Sequence, residues 1–593
     1  MSAYRPPLDD IGFALEAITD LEHLAKLPAF VHADPESVRG ALEECGRFVA
    51  EVIAPLNPVG DRQHSRRNDD GSVTTPDGFA AAYRQYITAG WPGVPLPVDH
   101  GGGGFPWLAG IAVEELLAAA NLAFSLCPLL TQSAVELLAA HGTDEQRDTW
   151  LPRMVSGEWT GTMCLTEPDA GSDVGAVRTK AIPAPDGSWR ITGQKIFITY
   201  GEHDLAENIV HLVLARVPDA PPGTSGISCF IVPKFLLSGG TVADRNAVTC
   251  VSIEHKLGIN ASPTCVLDFD DAVGYLVGEP NSGLRCMFTM MSKARLSVAV
   301  QGLAISERAY QQAVDYARER RQGRAPRSDG SPTPIIEHPD VRRMLLTMRA
   351  SIEALRALVY LVAESVDLAE ADPDPAVRAE RQELVELLTP AAKAWATDLG
   401  VELTSLALQV HGGMGYVEET GAAQHFRDAR IGPIYEGTNG IQAIDLVTRK
   451  LPMSGGRVAS SFLDRIDAVD DALAEAGDEL DSIRAAVAAS GKLLRTATDR
   501  LLTARADDPA AGPAAATPYL RMFGIVTGGW LMARQALAAQ QRLAAGDDRR
   551  EFLAAKVTTA RFYCEQVLPQ AAGLLPAVTA SPAHWLALDT AHL

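Results

Sequence analysis

The sequence contains few cysteines, and none of them is arranged for metal binding or for pairing. Its 593 residues include eight, without a CxxC pair and without a Cys/His cluster at metal-ligand spacing. This absence argues against a cysteine-based metal site, and we predict no metal centre. We interpret the thiols as small buried groups in a reducing compartment: Cys45, Cys127, Cys164, Cys229, Cys250, Cys265, Cys286 and Cys564.

A basic charge excess is missing as well. The chain has 52 Lys and Arg against 74 Asp and Glu, which gives a formal net charge of −22. Nucleic acids and anionic membrane surfaces attract basic faces, so this balance argues against both as partners. An acidic ligand such as a nucleotide would need a local basic pocket.

Long uncharged apolar segments are not found either. The N-terminal segment MSAYRPPLDDIGFALEAITDL lacks both a basic start and a clean apolar stretch, so it does not resemble a signal peptide. No run of about 18 residues is free of charged and polar breaks, so no transmembrane helix is predicted. We therefore expect a cytoplasmic protein without stable membrane insertion.

The composition that remains is ordinary for a globular protein, with 47% hydrophobic and 21% charged residues. A chain of this length exceeds what one hydrophobic core supports and suggests three or four domains. Changes in hydrophobic periodicity along the chain predict an α+β fold that is mainly α. The predicted domains are an N-terminal helical domain (1–157), a central antiparallel β-barrel (158–282), a four-helix bundle (283–452) and an extra C-terminal helical domain (453–593).

Four β-branched or aromatic runs, separated by Pro, Gly and Asp turns, predict the strands of the second domain. No helical pattern separates them, which favours an antiparallel barrel or sandwich. The runs are WRITGQKIFITYG, IVHLVLARV, GISCFIVPKF and PTCVLDF. The earlier glycines at 101–104 do not fit the dinucleotide pattern GxGxxG, because the third glycine is missing and no strand precedes them.

Long amphipathic patterns predict the helices of the bundle. Three of them are RLSVAVQGLAISERAYQQAVDYARERRQG, VRRMLLTMRASIEALRALVYLVAESVDLAEA and PAAKAWATDLGVELTSLALQVHG, and the fourth opens at Ile441. Beyond Met453 we predict further packed helices, interrupted by a low-complexity linker from Ala506 to Pro518. This tail carries no recognisable chemistry, and its predicted apolar stripe consists of Phe462, Ile466, Val469, Leu473, Leu480, Ile483 and Val487.

The segment RIGPIYEGTNGIQAIDLVTRK, from Arg430 to Lys450, contains a candidate general base. Glu436 precedes a glycine in a sequence typical of a sharp turn, and Thr438 or Asn439 is placed to cap the helix that follows. A carboxylate on such a turn has little freedom, as a positioned base requires. Taken alone, the spacing is more typical of a surface carboxylate that favours the positive end of a helix. We expect Ile441, Ile444 and Val447 to face the core.

Four segments, read in order, decide between these interpretations. They are MCLTEPDAGSDVGA (163–176), KIFITYG (195–201), QVHGGMGY (409–416) and IYEGTNGIQ (434–442). In this order, and within helical, strand and bundle segments, they closely resemble the acyl-CoA dehydrogenase family over nearly the whole chain. The extra C-terminal helices are similar to the long bacterial form, which includes fatty acyl-CoA and 3-methylmercaptopropionyl-CoA dehydrogenases.

The resemblance implies an FAD-dependent α,β-dehydrogenation of an acyl-CoA to a trans-2-enoyl-CoA in fatty acid β-oxidation. In the family, the base at the position of Glu436 removes the α-proton, hydride passes to flavin N5, and electrons pass to electron-transfer flavoprotein. The FAD site that family members share between subunits implies at least a dimer, and the extra C-terminal helices, placed where other members form a tetramer, favour a homodimer. Three alternatives stay open: a 3-methylmercaptopropionyl-CoA dehydrogenase, an acyl-CoA oxidase that uses O₂, and a non-enzymatic CoA- or flavin-binding scaffold.

The resemblance also implies roles for individual residues. Substrate contacts are implied for Ser172, Arg295 and Gly437. Without the resemblance, Thr166 and Thr199 fit ordinary strand residues, and Arg295 fits a surface arginine. The glycines of the segment QVHGGMGY fit a plain turn between helices. FAD contacts are implied for Met163, Leu165, Thr166, Gly171, Ser172, Phe197, Thr199, Arg320, Gln322, Gln409, Gly412, Gly413, Thr438 and Gly440.

The sequence departs from the family pattern at several positions. Met163 and Phe197 stand where an aromatic residue and tryptophan are common, and Ser292 and Pro339 replace a common aspartate and glutamine. Some members carry the base at the position of Ala294. Alanine cannot accept a proton, so Glu436 is the remaining candidate.

Overall fold

Helices dominate the computed structural model, which describes residues 3–326, 331–504 and 508–593. A single larger sheet accompanies them, which confirms the predicted α+β, mainly α class. The described residues form two compact units. We call Gly40–Ser297 the mixed unit, and the segments up to Arg39 and from Val298 to Leu593 the helical unit. The predicted division into four domains stays a prediction.

Eight helices precede the seven-stranded sheet along the described chain, in agreement with the helical pattern predicted for residues 1–157. One feature was not predicted: a short hairpin of β1 (Arg66–Arg67) and β2 (Val73–Thr74). The helices are α1 (Leu8–Ile18), α2 (Leu21–Leu24), α3 (Pro35–Phe48), α4 (Asn57–Gln63), α5 (Phe79–Thr88), α6 (Trp107–Ala120), α7 (Leu122–His141) and α8 (Asp144–Ser156).

Helix α7 corrects one expectation. By length and hydropathy its 20 residues could cross a membrane, whereas the sequence was expected to contain no such segment. However, 83% of its most apolar window is buried inside the protein. Asn121 caps the helix by accepting from Phe124 N at 3.1 Å. An apolar helix that is buried on all sides is typical of a protein core.

The strands of the mixed unit follow the predicted runs and add several that were missed. All four predicted runs are strands: β5, β6, β7 and β11. The complete set after β2 is β3 (Trp159–Cys164), β4 (Lys180–Pro183), β5 (Trp189–Thr199), β6 (Asn208–Ala215), β7 (Ser228–Pro233), β8 (Phe235–Ser238), β9 (Thr241–Arg245), β10 (Val248–Ile253) and β11 (Thr264–Val277).

The central sheet departs from the predicted antiparallel β-barrel. Seven strands form a sheet in the order β3-β6-β7-β11-β5-β4, with β10 paired to β11, and no ladder among the described residues closes it. One isolated bridge, Lys180 to Arg216, extends from β4 toward the end of β6. The sheet is not purely antiparallel either, because β3 and β6 run parallel, from Trp159↔Asn208 to Cys164↔Val213. Short β-branched runs do not encode which edge strands meet.

The core of the mixed unit lies between helices α7 and α8 and one face of this sheet. Leu137, Trp150 and Met154 from the helices pack with Leu212 and Ile231 from β6 and β7, all nearly inaccessible to solvent. Central strands β6 and β7 are buried on both faces. This core packing therefore holds the sheet rigidly at the end of β3 and along β5.

Five helices continue the chain: α9 (Gly283–Glu319), α10 (Pro339–Ala371), α11 (Pro375–His411), α12 (Ala422–Ala429) and α13 (Asn439–Asp445). Three of the four predicted long helices of the bundle are present as α9, α10 and α11, whereas the fourth, predicted from Ile441, is the seven-residue α13 followed by a π-helical turn. Two of them are longer than predicted: α9 begins twelve residues before Arg295, and α11 runs through Pro390. Proline usually ends a helix, but the packing of α11 against α10 maintains this one.

The tail is helical, with two corrections. Its apolar stripe is distributed over three helices rather than one, because breaks fall after Asp467 and Glu475. The predicted linker is mostly helix from Ala511 onward, while Ala506 and Asp507 lie outside the described residues. The helices are α14 (Arg457–Asp467), α15 (Val469–Glu475), α16 (Asp481–Ala504), α17 (Ala511–Ala545), α18 (Arg550–Phe562), α19 (Gln570–Thr579) and α20 (Ala583–Leu586).

Candidate active site

Glu436 lies on a tight turn of the helical unit between α12 and α13. Its backbone is left-handed, with φ 55°, and Gly437 follows with φ 82°. The left-handed conformation costs a non-glycine residue roughly 1 kcal/mol or more, so the surrounding contacts must maintain it. The side chain is half-buried. A half-buried carboxylate on a strained turn fits a positioned base better than a freely solvated surface acid.

Thr438 begins helix α13. Its hydroxyl accepts from Ile441 N at 3.2 Å, so Thr438, not Asn439, is the N-cap. The predicted core face of this helix is partly wrong: Val447 is buried, but Ile441 and Ile444 are 41% and 38% exposed. Instead, Gln442 and Ala443 of this seven-residue helix are buried. The π-helical turn that follows also has buried residues.

The turn is held from α11 by a lysine that sequence reasoning missed. Lys393 is completely buried, and its ammonium donates to Gly432 O, Gly437 O and Asn439 Oδ1, each at 2.9 Å. These acceptors lie on both sides of Glu436 in the sequence. A buried ammonium with three acceptors is well compensated. The available signal was a single lysine within the small apolar stretch PAAKAWA.

Asn439 connects the lysine to a buried acid. Its amide nitrogen donates to Asp398 Oδ1 at 2.7 Å and to Ala394 O at 3.0 Å, both on α11. Burial raises the pKa of Asp398, and the hydrogen bond from Asn439 opposes that rise. The backbone nitrogen of Asn439 donates to Pro433 O at 3.0 Å and closes the turn. Asn439 therefore has a structural role, not the capping role considered for it.

The other flank of the turn is held from α9. The Tyr435 hydroxyl donates to Gln301 Oε1 of that helix. Gln301 is 3% exposed, and its amide nitrogen has no hydrogen-bond partner within the described part of the chain. The residue before the base is thus fixed by a buried amide, which the periodicity of α9 did not reveal.

In the mixed unit, the loop after β3 is joined to strand β5. Lys195 is buried and donates to Glu167 Oε1 at 2.7 Å and to Leu165 O at 3.0 Å. Ile196 N donates to Thr166 O at 2.9 Å. Burial raises the pKa of Glu167, but Lys195, Thr179 and the Arg178 amide outweigh it, so the net pKa is lowered. Two of the four predicted segments are therefore in direct contact.

Strand β5 carries a bulge at Phe197. The pairing shifts so that Cys265 faces Ile198 while Leu267 faces Lys195, which leaves an extra residue on β5. Phe197 has φ 60°, and its ring is 59% exposed. The bulge thus presents an aromatic ring beside half-buried Thr166 and Thr199, while Leu165 is buried and Met163 half-buried.

The remaining predicted residues of the mixed unit lie on a loop and on α9. Gly171 and Ser172 are exposed, in the loop beyond Glu167. Arg295 is half-buried on α9, so it is not the fully exposed surface arginine of the alternative interpretation. Close by on the same helix, Ser297 donates to Glu114 Oε2 of α6 at 2.8 Å. Burial raises the pKa of Glu114 to about 8, and the Ser297 bond opposes it.

A third group of predicted residues is exposed on the helical unit, where α9 and α11 end. The rings of Tyr316 and His411 stack at 4.6 Å and join the two helix ends. Burial lowers the pKa of His411, and its hydrogen bond with the Ala407 carbonyl opposes this shift. Gly412 adopts φ 60° and ψ −141°, which requires glycine. The exposed residues in this region are Arg320, Gln322, Gln409, Gly412 and Gly413.

Domain models of the acyl-CoA dehydrogenase family match along the chain. The N-terminal domain model matches residues 36–158, the middle domain 162–272 and the C-terminal domain 281–451. A further model, described as acetyl-CoA dehydrogenase C-terminal like, matches 462–589. The chain belongs to the acyl-CoA dehydrogenase family. It is therefore an oxidoreductase of a family that binds FAD.

Curated relatives match this chain over nearly their full length. The chain is 48% identical to 3-methylmercaptopropionyl-CoA dehydrogenase of Ruegeria pomeroyi, over 95% of this chain and 96% of the relative. It is 34% identical to the broad-specificity linear acyl-CoA dehydrogenase FadE5 of Mycobacterium tuberculosis, over 96% of each. The crystal structure of Caenorhabditis elegans ACDH-11 with C11-CoA shares the fold, with TM-score 0.76, 20% identity and coverage of 96% and 93%.

Several residues that are expected to contact FAD are accessible to a ligand. Phe197 offers an accessible ring on a rigid strand. At Gly171, Gly412 and Gly413 no atom lies within 4 Å of the position that a Cβ would take, so their backbone is open to a close ligand. Among the described residues, no group of three or more His, Cys, Asp or Glu is placed to hold a metal ion. All eight cysteines are buried free thiols.

Proposed function

We propose that the protein dehydrogenates an acyl-CoA thioester to a trans-2-enoyl-CoA, with Glu436 as the base that removes the α-proton. The observation that carries the proposal is the Glu436 turn, because this carboxylate is held in a strained conformation by contacts on both flanks. Strain maintained by surrounding structure is typical of functional sites. Family membership supplies the reaction class.

A carboxylate alone is too weak a base to remove the α-proton of an acyl-CoA thioester. The α C–H of a thioester is a weaker acid than a carboxylic acid by on the order of 15 pKa units, or roughly 20 kcal/mol. A fixed position contributes by avoiding reorientation, and hydrogen bonds to the thioester carbonyl stabilise the developing negative charge. Departure of the β-hydrogen as hydride in step with proton loss removes the remaining charge. Glu436 then holds the former α-proton as a neutral carboxylic acid.

FAD, when bound, supplies the acceptor for that hydride. In the mixed unit we assign Met163, Leu165, Thr166, Gly171, Ser172, Phe197 and Thr199 to its binding. In the helical unit we assign Thr438, Gly440 and the exposed group Arg320, Gln322, Gln409, Gly412 and Gly413. Ser172, Arg295 and Gly437 bind the acyl-CoA.

The proposed pathway is fatty acid β-oxidation. The alternative substrate is 3-methylmercaptopropionyl-CoA, which the name of the 48% identical relative favours. Fatty acyl-CoA and 3-methylmercaptopropionyl-CoA differ in a thioether sulfur of the acyl chain. The rates of flavin reduction by a panel of acyl-CoA esters therefore distinguish these two substrates. We expect one class to give the faster anaerobic bleaching of the flavin and the corresponding enoyl-CoA product. If no acyl-CoA bleaches the yellow protein, the proposed dehydrogenation is wrong and a scaffold role is favoured.

Electron-transfer flavoprotein is the proposed electron acceptor. The alternative is an oxidase that passes electrons to O₂. We expect fast reoxidation of the acyl-CoA-reduced enzyme by electron-transfer flavoprotein and slow reoxidation by air-saturated buffer. Rapid peroxide formation with acyl-CoA in air would instead assign an oxidase.

A homodimer in the cytoplasm is the proposed assembly and location. The extra helices α14–α20 occupy surface of the helical unit and leave less of it for a tetramer contact. Analytical ultracentrifugation is expected to give a dimer, and a clean tetramer would remove the proposal.

A further inference from the structure

We propose that Lys393 is a positioning residue for the base Glu436: its buried ammonium fixes the turn and favours the ionised carboxylate. The inference rests on the proposed function of Glu436. Its structural basis lies entirely within the helical unit, on α11 and on the turn that precedes α13.

The first step of the argument is geometric. Lys393 Nζ donates to the carbonyls of Gly432 and Gly437, four residues before and one residue after the base, both at 2.9 Å. The turn is thereby closed around one ammonium group. Gly437 has φ 82°, so its backbone direction depends on such a contact. Displacing the Gly437 carbonyl displaces the backbone of Glu436, and with it the carboxylate.

The second step concerns how the lysine itself is fixed. Its third acceptor, Asn439 Oδ1, is oriented because the amide nitrogen of Asn439 donates to Asp398 and Ala394 of the same helix. Asp398 and Lys393 of α11 and Asn439, the first residue of α13, therefore form one hydrogen-bonded group. Such outer partners hold a functional group in register, as they do around metal ligands.

The third step is electrostatic. Lys393 is fully buried, and its ammonium contacts the carbonyl of the residue next to the base. Since this cation lies on the carbonyl of the residue that follows Glu436, its charge favours the ionised form of the base, which is the form that accepts the α-proton. A purely structural contact would stabilise the turn without influencing the pH at which the base becomes active. This difference separates the two roles experimentally.

The test is Lys393→Met, which keeps an unbranched side chain of similar length and removes its charge. We expect anaerobic flavin reduction by acyl-CoA to slow about 100-fold at unchanged FAD content. We also expect the acid limb of the pH–rate profile to move to higher pH, because loss of the cation favours the protonated carboxyl. Lys556→Met is the matched control, since Lys556 is equally buried but contacts Asp10 and Glu353 instead.

Two results overturn the inference. One is a Lys393→Met protein with wild-type rate and pH profile. The other is a slower protein whose acid limb is unmoved and whose loss equals that of Lys556→Met. Should Lys393→Met not fold, Asn439→Ala decides: it removes one acceptor and the Asp398 contact, and about a tenfold slower flavin reduction is expected. An unchanged rate in that variant overturns the inference.

Failure of the inference and failure of the proposed function are distinguishable. If Glu436→Gln still reduces its flavin normally, the assignment of the base is wrong. If Glu436→Gln is inactive while Lys393→Met is normal, only the positioning role is wrong.

Discussion

At the scale of single residues, the site combines one side chain that the sequence identifies with others that it hides. Glu436 was a candidate because Gly437 and Thr438 follow it in a motif that favours a turn and a helix start, and the resemblance of four segments to the acyl-CoA dehydrogenase family decided for it. Lys393 was not found, because its burial depends on acceptors 39 to 46 residues further along the chain. Periodicity describes which residues face inward, but not which polar groups meet there.

Glu114 gives a prediction about pH. Burial raises its pKa from 4.5 to about 8, and it is 7% exposed. Between these two values the folded protein keeps a proton that the unfolded chain releases, so stability falls as pH rises. We expect Glu114→Gln to reduce the loss of stability between pH 5.5 and pH 8 by roughly 2 to 3 kcal/mol. Melting temperatures at both pH values measure this.

The exposed Glu145→Gln is the charge-matched control for that comparison. If both variants lose as much stability as the wild type over the same pH range, Glu114 is not a protonated buried acid.

At the scale of elements, local pattern predicted most strands and long helices but not their limits or pairing. The four predicted β-runs are strands, yet the barrel is not closed. Helix α11 continues through Pro390, and Ala511–Pro518 is helix rather than linker. In each case tertiary packing outweighs a local signal. The bulge that exposes Phe197 depends on the register with β11, which no single run specifies.

The turn after α11 tests a local requirement. Gly412 has φ 60° and ψ −141°, a conformation open essentially to glycine, while Gly413 has no positive φ. A Cβ at either position would have no neighbouring atom within 4 Å, so only backbone strain distinguishes the two. We expect Gly412→Ala to destabilise the protein by about 1 to 3 kcal/mol and to weaken FAD binding. Gly413→Ala is expected to have little effect on the melting temperature, and equal losses would contradict the strain argument.

At the scale of the whole chain, the family followed from four motifs and the mainly helical class from hydrophobic periodicity, while neither revealed the role of the tail. The C-terminal helices showed no chemistry in sequence. In the helical unit, α18 contacts the N-terminal helix α1 and α10 through Lys556, which is buried against Asp10 and Glu353. Residues more than 500 positions apart meet there, and no local pattern reports such a contact.

This contact predicts a large stability effect for the tail. Burial would raise the pKa of Asp10, but Lys556, Arg356 and Arg349 outweigh it and lower the value to about 2. Lys556→Met leaves the buried carboxylates of Asp10 and Glu353 without this partner, and we expect a loss of about 3 to 5 kcal/mol. Chemical denaturation measures it. Lys450→Met, which removes a partly exposed pair with Glu386, is expected to cost about 0 to 1 kcal/mol.

If the two lysine variants lose similar stability, the buried contact does not secure the tail to the rest of the helical unit.

The most direct measurement of the central claim is anaerobic mixing of acyl-CoA with the FAD-loaded Glu436→Gln protein, followed by flavin absorbance. The variant keeps the size and polarity of the side chain but cannot accept the α-proton. We expect the variant to retain FAD and to bind acyl-CoA with near wild-type affinity, while flavin bleaching slows by about 10⁴-fold or more. Bleaching at the wild-type rate would contradict the central claim.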